Sequence, residues 1–95
     1  MENFTVEECL KKIKELKAVM GVCEDEKARF GTMLKLASDC MSEEERKEMN
    51  RKTYSFDYAI DFHKLIIGIW EDNLKQAYLN ELKLIIGELQ EIINI

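Results

Sequence analysis

Apolar residues in the first half of the chain recur in alternating steps of three and four. This spacing places side chains on one face of an α-helix, so it predicts one long helix over about residues 5–41, roughly 50 Å in length. Leu10, Val19 and Met33 widen that face, which favours a helical bundle over a two-stranded coiled coil. The periodic positions, ten of eleven of them apolar, are Val6, Cys9, Ile13, Leu16, Met20, Cys23, Lys27, Phe30, Leu34, Ala37 and Met41.

The beginning of this helix has a clear signal, whereas its middle leaves two arrangements open. Thr5 is a suitable N-cap, and Glu8 three residues later completes a capping box. Gly21 and Gly31 each cost about 1 kcal/mol relative to Ala inside a helix, and a turn within residues 21–26 would split the segment into a hairpin. We favour a single helix, because a loop has no reason to preserve the heptad phase.

The second half of the chain begins with a polar stretch and continues with a strongly apolar one. Ser42 and Glu45 form a second capping box, which predicts a polar connector or short helix over about residues 42–54. An apolar helix or helix pair is predicted over about residues 55–94. Its apolar positions at helical spacing are Ala59, Phe62, Ile66, Ile69, Trp70, Leu74, Ala77 and Tyr78, followed by Leu82, Ile85, Ile86, Leu89, Ile92 and Ile93.

These elements predict an all-α fold in which residues 1–95 form one domain, with two or three long helices in an antiparallel hairpin or bundle. The C-terminal apolar residues cover more than one helical face. Full burial of each side chain is worth roughly 1.5–3 kcal/mol, and two or three helices have too little surface to cover them all. We therefore expect homodimerisation to complete the core, through an oligomer interface formed by Leu82, Ile85, Ile86, Leu89, Ile92 and Ile93.

Composition narrows the classes of function. The chain has 95 residues, a formal net charge of −5, no proline and only four glycines, which suits a single domain of long helices. The acidic balance argues against binding to nucleic acid or to anionic lipid, because both attract basic surfaces. The longest apolar run, residues 65–70, is far shorter than the roughly 18 residues that a membrane span requires.

Cysteine usage and the first residues favour the cytoplasm. The three cysteines, Cys9, Cys23 and Cys40, include no C-x-x-C pair, so the usual zinc and redox motifs have no support. The first eight residues are acidic where a secretory signal would be basic. We expect a reducing compartment in which the cysteines serve as small apolar side chains.

Paired carboxylates are the strongest candidates for catalysis. Glu44 and Glu48 lie four residues apart, as do Asp57 and Asp61. All-α nucleotide pyrophosphohydrolases hold Mg²⁺ with such pairs on neighbouring helices, because hard cations prefer oxygen ligands. Basic residues interleave with the first pair, however, which is typical of a solvated helix face with ion pairs. We therefore expect no metal or cofactor, and we expect His63, the single histidine, at a helix surface or boundary.

Aromatic and acidic residues concentrate between positions 54 and 70. Aromatic anchors rimmed by charge are typical of protein-binding hot spots. Some of these rings are expected to belong to the core, and Tyr54 and Phe56 are the better candidates for a partner surface. The predicted partner-binding residues are Tyr54, Phe56, Asp57, Tyr58, Asp61 and Trp70.

Together these patterns predict a small non-enzymatic interaction module that associates with itself and binds or sequesters a partner protein, as a cytoplasmic regulator, adaptor or inhibitor. A specific version is a compact inhibitor encoded by a phage or another mobile element, an interpretation based on size, acidity and the absence of motifs. Neither nucleic acid nor a membrane is an expected partner. The alternative is a Mg-dependent enzyme, similar to all-α nucleotide pyrophosphohydrolases, with the helix-borne carboxylates Glu44, Glu48, Asp57 and Asp61.

Overall fold

The structure is a computed structural model that describes residues 3–94 and consists of two long helices. Helix α1 runs Val6–Ala37, one 3₁₀ turn spans Ser38–Cys40, and helix α2 runs Glu43–Ile93. The two helices pack against each other as an antiparallel hairpin, and the described residues include no β-strand. The predicted all-α fold and antiparallel hairpin are confirmed for this part of the chain. Residues 1, 2 and 95 of the predicted domain lie outside the described residues.

Helix α1 begins where the capping signal predicts and continues without a break. The Thr5 Oγ1 atom accepts a hydrogen bond from the Glu8 backbone N–H at 3.1 Å, and the carboxylate of Glu8 lies near the positive end of the helix dipole. Residues 21–26 are helical, so the prediction of a single helix is confirmed and the alternative turn does not form. The helix ends at Ala37, a few residues before the predicted limit, because the chain tightens into the 3₁₀ turn.

Hydrogen bonds across the turn set the direction of α2. The Ser42 Oγ atom accepts from the Glu45 backbone N–H at 3.2 Å and donates to the Glu45 carboxylate at 3.0 Å. The Arg46 guanidinium donates to the Ser38 carbonyl at 2.7 Å, which joins the first turn of α2 to the beginning of the 3₁₀ turn. The predicted cap at Ser42 is therefore present and directs α2 back along α1.

The predicted apolar face of α1 is the face that packs against α2. Cys9 and Ile13 are buried, and the other positions of the periodic series are partly buried. Lys27 fits into this series because its ammonium group forms an ion pair with the Asp57 carboxylate of α2. The heptad phase alone therefore located the whole contact face of α1.

The face of α2 that packs against α1 coincides only in part with the predicted apolar series. Ala59, Ile66, Trp70, Leu74 and Ala77 of that series are buried or partly buried. Its other members in this region, Phe62, Ile69 and Tyr78, each expose about half of their surface, between 47% and 53%. Polar residues also lie on the observed face, and two of them bond a carbonyl one turn earlier: Thr53 donates to the Met49 carbonyl and His63 bonds the Ala59 carbonyl. The buried residues of this face are Ile60, Ile67 and Ala77, and the partly buried ones include Phe56, Trp70 and Leu74.

Helix α2 is one element of 51 residues. The segment expected as a polar connector, residues 42–54, supplies its N-cap and first turns, and residues 55–94 are not divided into a helix pair. At 1.5 Å per residue, α2 is about 76 Å long and the 32 residues of α1 reach about 48 Å. The longer helix therefore extends past the first turn of the shorter one.

The unequal helices give an extended molecule. Its radius of gyration is 22.3 Å, against about 12 Å for a compact chain of this length. The first turn of α1 lies beside residues 77–84 of α2, where Phe4 and Val6 share a groove with Ala77 and Leu84. Beyond Leu84, every residue through Ile93 except Gly87 is exposed. The molecule therefore consists of a paired hairpin and an unpaired C-terminal segment.

Candidate protein-interaction surface

Three of the six predicted partner-binding residues contribute to the contact between the helices. The Phe56 ring packs against Phe30 of α1 with ring centroids 5.3 Å apart, and Asp57 is paired with Lys27. The Trp70 indole packs against Phe4, just ahead of α1, at 4.7 Å. These side chains contribute to the contact between the helices and are partly buried.

The other three predicted residues lie on the solvent side of α2. Tyr54 and Tyr58 each expose 74% of their surface. Asp61, three residues after Tyr58, is also exposed. The Tyr58 and Phe62 rings are stacked with their centroids 6.4 Å apart. Large aromatic rings in contact with each other and with water are a typical anchor for a binding partner.

These rings belong to a row of exposed side chains along nearly the whole of α2, which we call the outer stripe. Its members follow one another in steps of three or four and lie about half a turn around the helix from the face that packs on α1. Ten of the twelve are apolar, and two polar residues stand near the middle. The outer stripe consists of Tyr54, Tyr58, Phe62, Leu65, Ile69, Asp72, Gln76, Leu79, Leu82, Ile86, Leu89 and Ile93.

Most of the predicted oligomer interface falls on the outer stripe. Leu82, Ile86, Leu89 and Ile93 are members, and Ile85 and Ile92 flank it one residue before Ile86 and Ile93; all six are at least half exposed. Sequence reasoning did not connect this C-terminal set with the aromatic residues at the other end of α2. The signal was present in the spacing, but it overlaps with the stripe that faces α1.

The candidate metal ligands do not come together. Glu44, Glu48, Asp57 and Asp61 all lie on α2, so the geometry of two pairs on neighbouring helices is absent, and the first and last are about 25 Å apart along the axis. Glu48 forms an ion pair with Arg51 at 3.1 Å, and Asp57 is committed to Lys27. Within residues 3–94, no three His, Cys, Asp or Glu side chains are arranged to hold a metal ion.

The histidine and the cysteines take structural positions. The partly buried His63 ring bonds the Ala59 carbonyl through Nδ1 at 2.7 Å, and because a carbonyl only accepts, Nδ1 carries the proton. Cys9 is completely buried between the helices. Burial, with a smaller contribution from the Glu8 carboxylate, raises the pKa of the Cys9 thiol. A buried thiol that keeps its proton is inert as a nucleophile.

The chemistry available on the described surface is therefore mainly apolar contact along one helix. Within residues 3–94, neither helix contains a stretch long and apolar enough to cross a membrane. Comparison with protein-family models, with curated proteins and with solved structures finds no match for this chain.

Proposed function

We propose that this chain is a non-enzymatic helical interaction module that associates with itself and binds or sequesters a partner protein as a regulator, adaptor or inhibitor. The observation that carries the proposal is the outer stripe, in which ten large apolar side chains of one helix face water. Soluble monomers rarely expose a continuous apolar patch of more than a few hundred Å², and larger patches mark interaction sites.

The magnitude of the exposed surface supports self-association. The chain has an accessible surface of 7824 Å², whereas a compact monomer of 11.2 kDa is expected to have about 5,700 Å². The excess is about 2,100 Å² per chain, more than the roughly 800 Å² that each partner buries in a standard protein interface. A second copy offers the same apolar surface in return, so a symmetric dimer satisfies both chains at once.

Sedimentation equilibrium at micromolar concentrations tests self-association. We expect a species of twice 11.2 kDa that dissociates on dilution. A single 11.2 kDa species at all concentrations would remove this part of the proposal. The control is Leu36→Glu, since Leu36 is 82% exposed on α1 and lies outside the outer stripe; it is expected to sediment as the unmodified chain does.

Binding of a foreign partner is tested by affinity capture from the native host. The unmodified chain and the Leu36→Glu control are expected to retain the same protein, and a Tyr54→Ala/Tyr58→Ala variant is expected to lose it, because hot spots rely on exposed aromatic anchors. Retention by all three chains would contradict the use of this surface.

The Mg-dependent alternative has a separate test. Thermal melting with and without millimolar Mg²⁺ or Mn²⁺ reports binding, because a ligand of the folded state raises the melting temperature. We expect no shift. An upward shift that disappears in a Glu44→Gln/Glu48→Gln variant would favour the enzyme.

A further inference from the structure

We infer that a second copy of this chain covers the outer stripe, with the two α2 helices antiparallel and the two-fold axis crossing the stripe between Asp72 and Gln76. This inference rests on the proposed self-association and adds to it the surface, the orientation and the register. In this arrangement, the unpaired C-terminal segment of each copy lies on the aromatic end of the other copy's stripe. The paired hairpins keep their own contacts, since the outer stripe is on the opposite side of α2 from α1.

The spacing of the stripe is what specifies the register. When the stripe is read inward from its two ends, its members fall into pairs whose residue numbers add to 147 or 148. Two antiparallel helices therefore bring every member level with another member to within about 0.7 Å along the axis. The layers pair Tyr54 with Ile93 of the second copy, Tyr58 with Leu89, Phe62 with Ile86, Leu65 with Leu82, Ile69 with Leu79, and Asp72 with Gln76.

The two polar members of the stripe meet each other in this register. Asp72 and Gln76 form the layers on either side of the two-fold axis, so the Gln76 amide of one copy can donate to the Asp72 carboxylate of the other. Every other layer is apolar on both sides. A polar layer in an otherwise apolar helical seam selects register and orientation, because any other pairing buries the polar groups without partners.

The competing pairings are less favourable for the same reason. If the second copy is shifted by half a heptad along the helix axis, Asp72 lies against its Leu79, which buries a carboxylate among apolar atoms. A parallel pairing places Asp72 against Asp72 of the second copy, where like charges repel. The parallel pairing also brings the two C-terminal segments to the same end of the dimer, where they cover each other. The aromatic rings of the two copies then pair with one another.

The area involved suits a stable dimer of this kind. The ten apolar members of the stripe each expose between 49% and 79% of their surface. Their burial accounts for a large part of the excess surface of the isolated chain, and it removes the C-terminal segment from solvent. The ring and ion-pair contacts described between the helices involve Phe56, Asp57 and Trp70 of α2, none of which belongs to the stripe.

Disulfide trapping tests the register. In a Cys40→Ser background, which removes the exposed native thiol, single Phe62→Cys and Ile86→Cys chains are prepared and mixed under mild oxidation. We expect a covalent dimer in the mixture and none from either chain alone, because residues 62 and 62 of the two copies are about 35 Å apart in this register. Trapping of either chain with itself, or no trapping in the mixture, would overturn the inference.

Charge substitution provides a second test that does not depend on a disulfide. Ile69→Glu and Leu79→Lys change exposed positions of the hairpin, so both variants are expected to fold. Each is expected to weaken its own dimer by more than about tenfold in Kd. Their mixture is expected to form a heterodimer close to native affinity, since one layer becomes an ion pair and the other stays Ile69 against Leu79. A mixture as weak as the separate variants would contradict the pairing.

The outcomes separate this inference from the proposal it rests on. If the unmodified chain sediments as a dimer but neither test succeeds, self-association stands and the antiparallel α2 pairing is wrong. If the chain sediments as a monomer, both fail. In this register the second copy covers Tyr54 and Tyr58, so a partner protein that binds these rings is expected to displace it and to reduce trapping in the Phe62→Cys and Ile86→Cys mixture. If a foreign protein occupies the stripe instead of a second copy, the isolated chains show no trapping in the mixture and the inference is wrong.

Discussion

Replacing Gly21 and Gly31 with alanine is expected to stabilise the protein. Both glycines lie inside α1, their backbone φ angles are negative, and a Cβ atom added at either position meets nothing within 4 Å. Glycine is about 1 kcal/mol less favourable than alanine in a helix interior, because it loses more backbone freedom on folding. Each single substitution should therefore raise the free energy of unfolding by about 1 kcal/mol, and the double variant by about 2 kcal/mol.

The measurement is urea unfolding followed by circular dichroism at one fixed protein concentration, because self-association makes apparent stability depend on concentration. The denaturant slope should stay constant, since the surface exposed on unfolding does not change. In thermal melts, each substitution should add about 4–8 °C to the midpoint of a chain of this size. Ala18→Gly, at an exposed position of the same helix, is the matched control and should lower stability by about 1 kcal/mol.

A loss of stability in the Gly21→Ala chain, with the expected loss in the Ala18→Gly control, would show that this prediction is wrong. It would mean that residue 21 either leaves the helical conformation or lies against another chain, since only a strained backbone or a collision makes a Cβ unfavourable there. A loss of stability in the Gly31→Ala chain alone would mean that only the second half of α1 departs from the described helix.

Three further predictions concern the cap, the contact between the helices and the buried thiol. Ser42→Ala should lower the free energy of unfolding by about 1 kcal/mol in urea titrations, because the N-cap of α2 is lost, whereas Ser55→Ala on the exposed side of α2 should change it by less than about 0.5 kcal/mol. Phe56→Ala should lower the free energy of unfolding by about 2 kcal/mol through loss of the ring contact with α1. An equal loss from Leu36→Ala, at an exposed position of α1, would show that the ring contact does not account for the effect. Burial raises the pKa of the Cys9 thiol, so the folded state holds this proton more tightly than the unfolded state; stability should fall as pH rises above about 8.5, and Cys9→Ala should reduce that fall in a series of urea titrations.

The sequence predicted α1 more completely than α2, and the reason is the number of apolar stripes on each helix. α1 has one dominant stripe in constant heptad phase, so its contact face, its N-cap and its continuity through Gly21 could all be read from the spacing. α2 has two stripes on opposite sides. The spacing of apolar residues does not show which of the two faces packs on α1, because polar residues interrupt both. Thr53 and His63 lie on the face that packs on α1, and Asp72 and Gln76 lie on the outer stripe.

The candidate surface was predicted in part for a related reason. The aromatic residues between positions 54 and 70 divide between the two faces of one helix, and neighbours in sequence such as Phe56 and Tyr58 point in different directions. Phe56 meets Phe30 because the turn at Ser38–Cys40 fixes which residues of the two helices lie side by side. That register depends on tertiary structure. The composition of the segment between positions 54 and 70 therefore identified candidate residues, but it did not show which of them face α1 and which face solvent.

The distribution of burial along the hairpin has a consequence for the order in which it folds and opens. The buried residues are Cys9 and Ile13 of α1 with Ile60, Ile67 and Ala77 of α2, all away from the turn. Contacts next to the turn close the shortest loop at the smallest entropic cost, so we expect folding to begin there. Protection against hydrogen exchange should instead be greatest near Cys9, about 40 Å away along α1. The part of the hairpin that forms first and the part that opens last are therefore at opposite ends of the same pair of helices.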